Sequence, residues 1–231
     1  YSGQWCAVAG HAEGDPDAAA SEEIREEAGI DPDSEVTFLR RGEPFEVADD
    51  DLGTRWLVYP YLFDTRTREV TTNDETTEYE WAPPTEILRR ETVPELWTSY
   101  DRVRPAVETV AEDQQHGSSY LSLRALEHLR DEAALGVERG TTDWAALNAT
   151  ARELRDARPS MVVIANRVNR VMADASDGGT PTAVERGAAA GIDRALAADE
   201  RAAARAAERL PDRVATLSRS GTVLTALADA N

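Results

Sequence analysis

Three glutamates, Glu23, Glu26 and Glu27, stand at positions i, i+3 and i+4 in the stretch Glu22-Glu23-Ile24-Arg25-Glu26-Glu27-Ala28-Gly29-Ile30. On a helix that spacing puts three carboxylates on one face, where they repel one another. A divalent cation removes the repulsion, and hard oxygen donors are what Mg2+ or Mn2+ takes. The same pattern also describes a plain solvated acidic face. Just upstream, Gly10-His11-Ala12-Glu13-Gly14-Asp15 is a glycine-rich loop able to bring backbone amides and a further carboxylate toward the same ion. Near the other end, Ser218-Arg219-Ser220-Gly221-Thr222 offers hydroxyls, a guanidinium and free amides at a helix N-terminus. That is a place to hold phosphate, or an ordinary N-cap turn. Arg158, before Pro159, is open in the same way between a phosphate clamp and a surface residue at a helix start.

Punctuation and periodicity supply the elements that must position these groups. The acidic stretch reads as a helix over about 17–28, entered after Pro16 and stopped by Gly29, with Ile30 available to pack back on it. β-rich runs at 35–39 and 55–63, with the Asp/Gly-rich turn 48–53 between them, read as strands. From Pro94 onward, Leu96, Tyr100, Val103, Val107 and Val110 recur at three and four residues and predict a helix closing the first domain. Further helices are expected at 121–135, 144–154, 162–172 and 181–210, with a flexible break at 174–181. Residues 214–217 read as one buried strand that feeds the polar turn and a new helix. The alanine stripe at 187–207 reads as close helix packing or a dimer face.

The 231 residues include 44 acids against 25 basic residues, every one of them arginine, for a net charge of −19. Up to residue 110 there are 26 acids against 10 arginines, and after it 18 against 15, so the acidity belongs to the first half. Aromatics divide the same way, with 12 of 14 in the first 100 residues. Two domains, 1–110 and 114–231, are the simplest account. The acid excess argues against broad binding to nucleic acid or anionic membrane, because neutralising phosphate is what drives such contacts. It suits concentrated salt, where charge is screened within a few ångströms, and points to a halophilic archaeal cytoplasm. Cys6 is the only cysteine, which excludes an intramolecular disulfide and a cysteine-based zinc site. No apolar run reaches the length needed to span a bilayer. Tyr1-Ser2-Gly3-Gln4-Trp5 reads as the interior of something longer, so a fragment is expected.

Loop and acidic helix together resemble the Nudix box, Gly-x5-Glu-x7-Arg-Glu-U-x-Glu-Glu-x-Gly-U with U aliphatic. The resemblance spans about 1–105 and extends to Gly3-Gln4-Trp5 and to the late segment 75–86. It implies an α+β Nudix fold with a mixed sheet and a box helix, its first strand absent before Tyr1. The implied activity is Mg2+-dependent hydrolysis of a diphosphate linked to another moiety. Glu23, Glu26 and Glu27 match the metal-binding glutamates, and Gly10, Glu13 and Gly29 match the structural part of the box. Glu78 is open between a proton-accepting base and a surface acid. The sequence departs from the pattern at Glu22, where arginine is usual, and in length, since 10–30 is two residues short.

The region 116–231 resembles the family that unites the alpha, beta and delta subunits of translation initiation factor 2B with ribose-1,5-bisphosphate and methylthioribose-1-phosphate isomerases. The residues that carry it are His116-Gly117-Ser118-Ser119, Arg158-Pro159-Ser160-Met161 with Asn166, and the 214–223 segment. The likeness implies an all-α helical domain leading into the start of a Rossmann-like lobe that Asn231 cuts short. Phosphate ligands for Arg158, Ser218, Arg219, Ser220 and Gly221 are implied with it. Ser218 stands where the isomerases carry a catalytic cysteine, a far better nucleophile near neutral pH, which argues against isomerase chemistry. The expected protein is a diphosphate hydrolase fused to this module, taking a nucleoside diphosphate derivative or sugar phosphate, with a homodimer through the helical half left open. The alternative is a non-catalytic nucleotide or sugar-phosphate sensor, or the remnant of an isomerase.

Overall fold

The computed structural model describes residues 3–230 apart from 13, 50–52, 75, 142, 212 and 217–219. It divides into two compact units, Tyr1–Arg104 and Pro105–Asn231. In the first, helix α1 (Pro16–Ala28) starts where Asp15 caps it, its carboxylate accepting the Asp17 amide at 3.1 Å, with Pro16 in the first turn. It ends at Gly29, whose φ of 65° is the left-handed cap that glycine adopts without a Cβ penalty. A side chain there would also come within 2.8 Å of the Thr71 Cβ. Ala28 and Ile30 are buried beside this cap.

Strands β1 (Val36–Arg41) and β4 (Tyr61–Thr65) pair antiparallel, as do β2 (Phe45–Asp49) and β3 (Thr54–Val58). The single strand expected at 55–63 is therefore two, and buried Pro60 lies between them because proline removes a ladder donor. The mixed sheet is not seen among the described residues: there are two antiparallel pairs and one isolated parallel bridge, Trp5 to Thr92. The helix expected across 96–110 is also broken, into α2 (Leu96–Asp101) and α3 (Val107–Glu112). Pro105 is the reason: its ring disfavours helical backbone at the residue before it and its missing N–H cannot continue the ladder. Val110 is fully buried in the core of the second unit.

That second unit is helical: α4 (Ser118–Glu138), α5 (Trp144–Ala157), α6 (Val162–Ala175), α7 (Pro181–Ala207) and α8 (Gly221–Asp229) follow α3. Leu121, Leu126 and Leu129 of α4 meet Leu154, Ile164, Val168, Val171 and Val184 in one core. Small residues let α7 come close. A Cβ on Gly187 would meet Val171 at 3.3 Å, and one on Gly191 would meet Leu126 at 3.1 Å. The alanine stripe therefore serves packing, with Ala188, Ala195 and Ala203 buried. Residues 214–216 are exposed and irregular, not a buried strand. A strand needs a hydrogen-bonding neighbour, and the described residues of this unit contain none; Leu217 lies outside them.

Candidate functional site

Two ties fix α1 in the first unit. Near its start, the Asp17 carboxylate takes an ion pair from Arg41 at 2.9 Å and a hydrogen bond from the Tyr61 hydroxyl, joining the helix to β1 and β4. At its end, the Thr71 amide donates to the Ala28 carbonyl at 2.9 Å. The bond from Tyr61, then that from Arg41, hold the Asp17 carboxyl below its ordinary value. Burial, then the hydrogen bond to Asp17, pushes Tyr61 up to about 12. A carboxyl depressed in the folded state adds stability above its unfolded value, and that stability is lost as pH falls through the folded value. Docking of α1 should thus hold at neutral pH and loosen only below the ordinary aspartate value of 3.8. A carbon-13 titration of the Asp17 carboxyl should give a midpoint below 3.8 that rises in Tyr61→Phe. An unmoved midpoint would refute the tie.

Between those ties lies the glutamate face. The Glu23 carboxylate lies against Gly10, where any side chain would overlap it, and the Ala9 amide donates to Glu27 Oε2 at 3.0 Å. The loop before the helix is thus packed onto two of the three box glutamates. Desolvation, then the Glu27 charge, pushes the Cys6 thiol up, which places Cys6 in the same neighbourhood. Glu26 is exposed. Glu22 is paired with Arg25, so the acid that replaces the usual arginine has its charge met within the helix. Glu78 is exposed on the irregular segment after Thr71 and is not brought against α1 by any hydrogen bond or ion pair among the described residues. Nor do three or more His, Cys, Asp or Glu side chains converge on one point among those residues. Glu13 lies outside them.

In the late segment, Arg90 pairs with Glu80 at 2.9 Å and stacks over Trp5 at 4.8 Å, while the Trp5 amide donates to Glu91 at 2.9 Å. Trp81 donates its indole N–H to the Arg68 carbonyl at 3.1 Å, under the Arg68 guanidinium. Trp5 and Glu80, one from each segment that carried the resemblance outside the box, therefore meet at Arg90.

In the helical unit, Arg158 donates to the Ala111 carbonyl at 3.3 Å and to that of Asp113, satisfying the C-terminal carbonyls of α3. Ser220 is the N-cap of α8 without a side-chain cap bond, and Gly221 begins that helix in the open. Ser218 and Arg219 lie outside the described residues. Sequence reasoning missed Ala9, Arg41 and Tyr61. The ties run 18, 24 and 44 residues from their α1 partners, and spacing carries no signal at that range.

A capped acidic helix, two of its glutamates packed under a glycine loop and its ends fastened to an antiparallel strand pair and a following segment, lies within residues 1–103, which match the NUDIX domain. Residues 114–231 match the Initiation factor 2 subunit family, and with a little over half its length in that match the chain belongs to this family and carries a NUDIX domain before it. No curated protein and no solved structure matches it. Among the described residues no helix is long and apolar enough to cross a membrane.

Proposed function

We propose that the NUDIX domain hydrolyses a nucleoside diphosphate linked to another moiety. Water forms a new P–O bond, the bridging P–O–P bond breaks, and two phosphate monoesters leave. The observation that carries this reading is the packing of Ala9 and Gly10 onto Glu27 and Glu23, which makes loop and helix one structure. The donors fit a hard cation. All are carboxylates, Glu26 is open to solvent, and Glu22 is held by Arg25 and does not compete. Glu23, Glu26 and Glu27 would hold Mg2+ or Mn2+. Such an ion supplies positive charge for the diphosphate oxygens and acidifies a water. The Ala9 amide orients Glu27, and Gly10 leaves room for Glu23. Glu78 is proposed as the proton acceptor, from the segment that Thr71 fastens to the end of α1. In the helical unit Arg158, Ser218, Arg219, Ser220 and Gly221 are proposed to serve phosphate binding, and the unit to pair two copies.

The test is monophosphate release from a panel of nucleoside diphosphate sugars and dinucleotides, with and without Mg2+, in high salt. Saturable binding without products would favour the alternative, a sensor that does not cleave, for which Glu22 in place of arginine speaks. Gly10→Ala separates site from fold. The clash falls on the end of a flexible side chain, so stability should change by less than about 1 kcal/mol. Apparent Mg2+ affinity in the assay should nevertheless fall about 10–100-fold, as when a ligand loses its support. Parental Mg2+ dependence in this variant would show that Gly10 does not set Glu23.

A further inference from the structure

Eight arginines of this chain have carboxylate partners within 4.0 Å among the described ion pairs: Arg25, Arg41, Arg89, Arg90, Arg104, Arg124, Arg130 and Arg155. With 44 acids to 25 arginines, such pairing is what chance and Coulomb attraction produce. Three of the arginines outside these pairs lie together. Arg167, Arg170 and Arg194 border one cleft of about 160 Å³ in the helical unit, and among the described residues none has an ion-pair partner.

The architecture explains how three like charges come to one place. Arg167 and Arg170 are three apart on α6, and Gly191 and Arg194 three apart on α7, so each helix turns the pair toward the same groove. The missing side chain at Gly191 leaves the groove open down to Leu126, whose Cδ1 lies 3.1 Å from where a Cβ would stand. Arg167 is fixed deepest. Its Nη1 donates to the Ser122 hydroxyl at 2.7 Å and to the Ser119 carbonyl at 3.5 Å. The Ser122 hydroxyl donates in turn to the Ser119 carbonyl at 2.7 Å. Asp199, which takes the Ser119 hydroxyl, acts on Arg167 without an ion-pair contact and does not offset the burial that pushes the guanidinium down. A partly desolvated guanidinium with no carboxylate in contact is costly.

We propose that this cleft is a binding site for a phosphate dianion, borne by a small phosphate monoester or free. Three guanidinium forks match the tetrahedral oxygens of phosphate better than the two of a carboxylate. At roughly 30 Å³ for each water displaced, the space admits a phosphate and a few carbon atoms, and Leu126 gives those carbons an apolar wall. Part-burial of Arg167 protects the attraction from the screening that a salt-rich medium imposes on exposed charges. The site uses none of the NUDIX residues and does not depend on the hydrolase reading.

Calorimetric titration of the full chain, without divalent metal and at fixed KCl, with inorganic phosphate and with glycerol 3-phosphate tests this. Saturable binding of either that weakens when Arg170 and Arg194 are both replaced supports the site, and the tighter of the two tells free from esterified phosphate. Arg170→Gln with Arg194→Gln, both exposed, should weaken that binding about tenfold or more, with an unchanged far-ultraviolet dichroism spectrum. Arg152→Gln, exposed on α5, should leave binding at the parental value. Failure of both ligands to bind the folded chain, or parental binding by the double variant, overturns the proposal.

Discussion

Glu26→Gln combined with Glu27→Gln is expected to lower Mg2+-dependent cleavage about 10³-fold, inside the 10²–10⁴ range that positioned acid–base groups contribute. That is a loss of about 4 kcal/mol of transition-state stabilisation. The effect is chemical because the fold asks little of these carboxylates. Glu26 is exposed, and a glutamine at position 27 still offers an oxygen to the Ala9 amide. What disappears is two negative charges on the face that would hold the cation. Phosphorus-31 spectra of the products, followed with a dichroism spectrum of the double variant, give both readings. A folded double variant that turns over at the parental rate would sink the assignment of these glutamates. Glu78→Gln in the same assay separates a proton acceptor from a surface acid, since only the former loses rate.

Asp131→Ala should destabilise the helical unit by about 3–5 kcal/mol, the cost of breaking a buried ion pair from one side. Arg130 and Asp131 are 7% and 0% exposed in the middle of α4. Arg130 reaches Asp131 Oδ1 from Nε at 2.9 Å and from Nη2 at 2.7 Å. Removing the aspartate takes two charge-assisted hydrogen bonds from a guanidinium that is almost fully buried. Against a typical total of about 5–15 kcal/mol the loss is severe, and it rivals a Leu154→Ala cavity in the same core, about 2–5 kcal/mol. Replacing both, Arg130→Met with Asp131→Leu, should cost far less, because apolar side chains of similar volume carry no desolvation penalty. Urea unfolding at fixed salt measures all three. A midpoint for Asp131→Ala within 1 kcal/mol of the parent would mean that Arg130 is held by other groups.

The parts of this fold that were legible in the sequence are those whose signal is local. Pro16 and Gly29 mark α1, and the apolar periods of Leu121 to Leu135 and Val162 to Met172 mark α4 and α6. Two errors came from letting periodicity outvote proline. The apolar period runs through Pro105, and the β-rich run passes through Pro60, yet each proline ends an element because it withholds an N–H. The strand expected at 214–217 failed differently over its described residues 214–216, since apolar-leaning residues cannot form one without a neighbour to bond. For the site, the helical face of Glu23, Glu26 and Glu27 follows from spacing alone, whereas their partners do not. Arg158 shows the limit well. Its type suits a phosphate clamp, and nothing in its spacing tells that its guanidinium also reaches the end of α3, 45 and 47 residues away in sequence.

A helix pinned near both ends behaves as a beam resting on two supports. The tie from Asp17 to Arg41 and Tyr61 holds one end of α1, and the bond from Thr71 to Ala28 holds the other. Neither support touches the span that carries Glu23, Glu26 and Glu27. The span can neither slide nor roll without breaking a support, so the carboxylates change their mutual distances only through their own side-chain torsions. Accommodation of one cation radius or another is thereby reduced to rotamer reach, with the backbone as a fixed ruler.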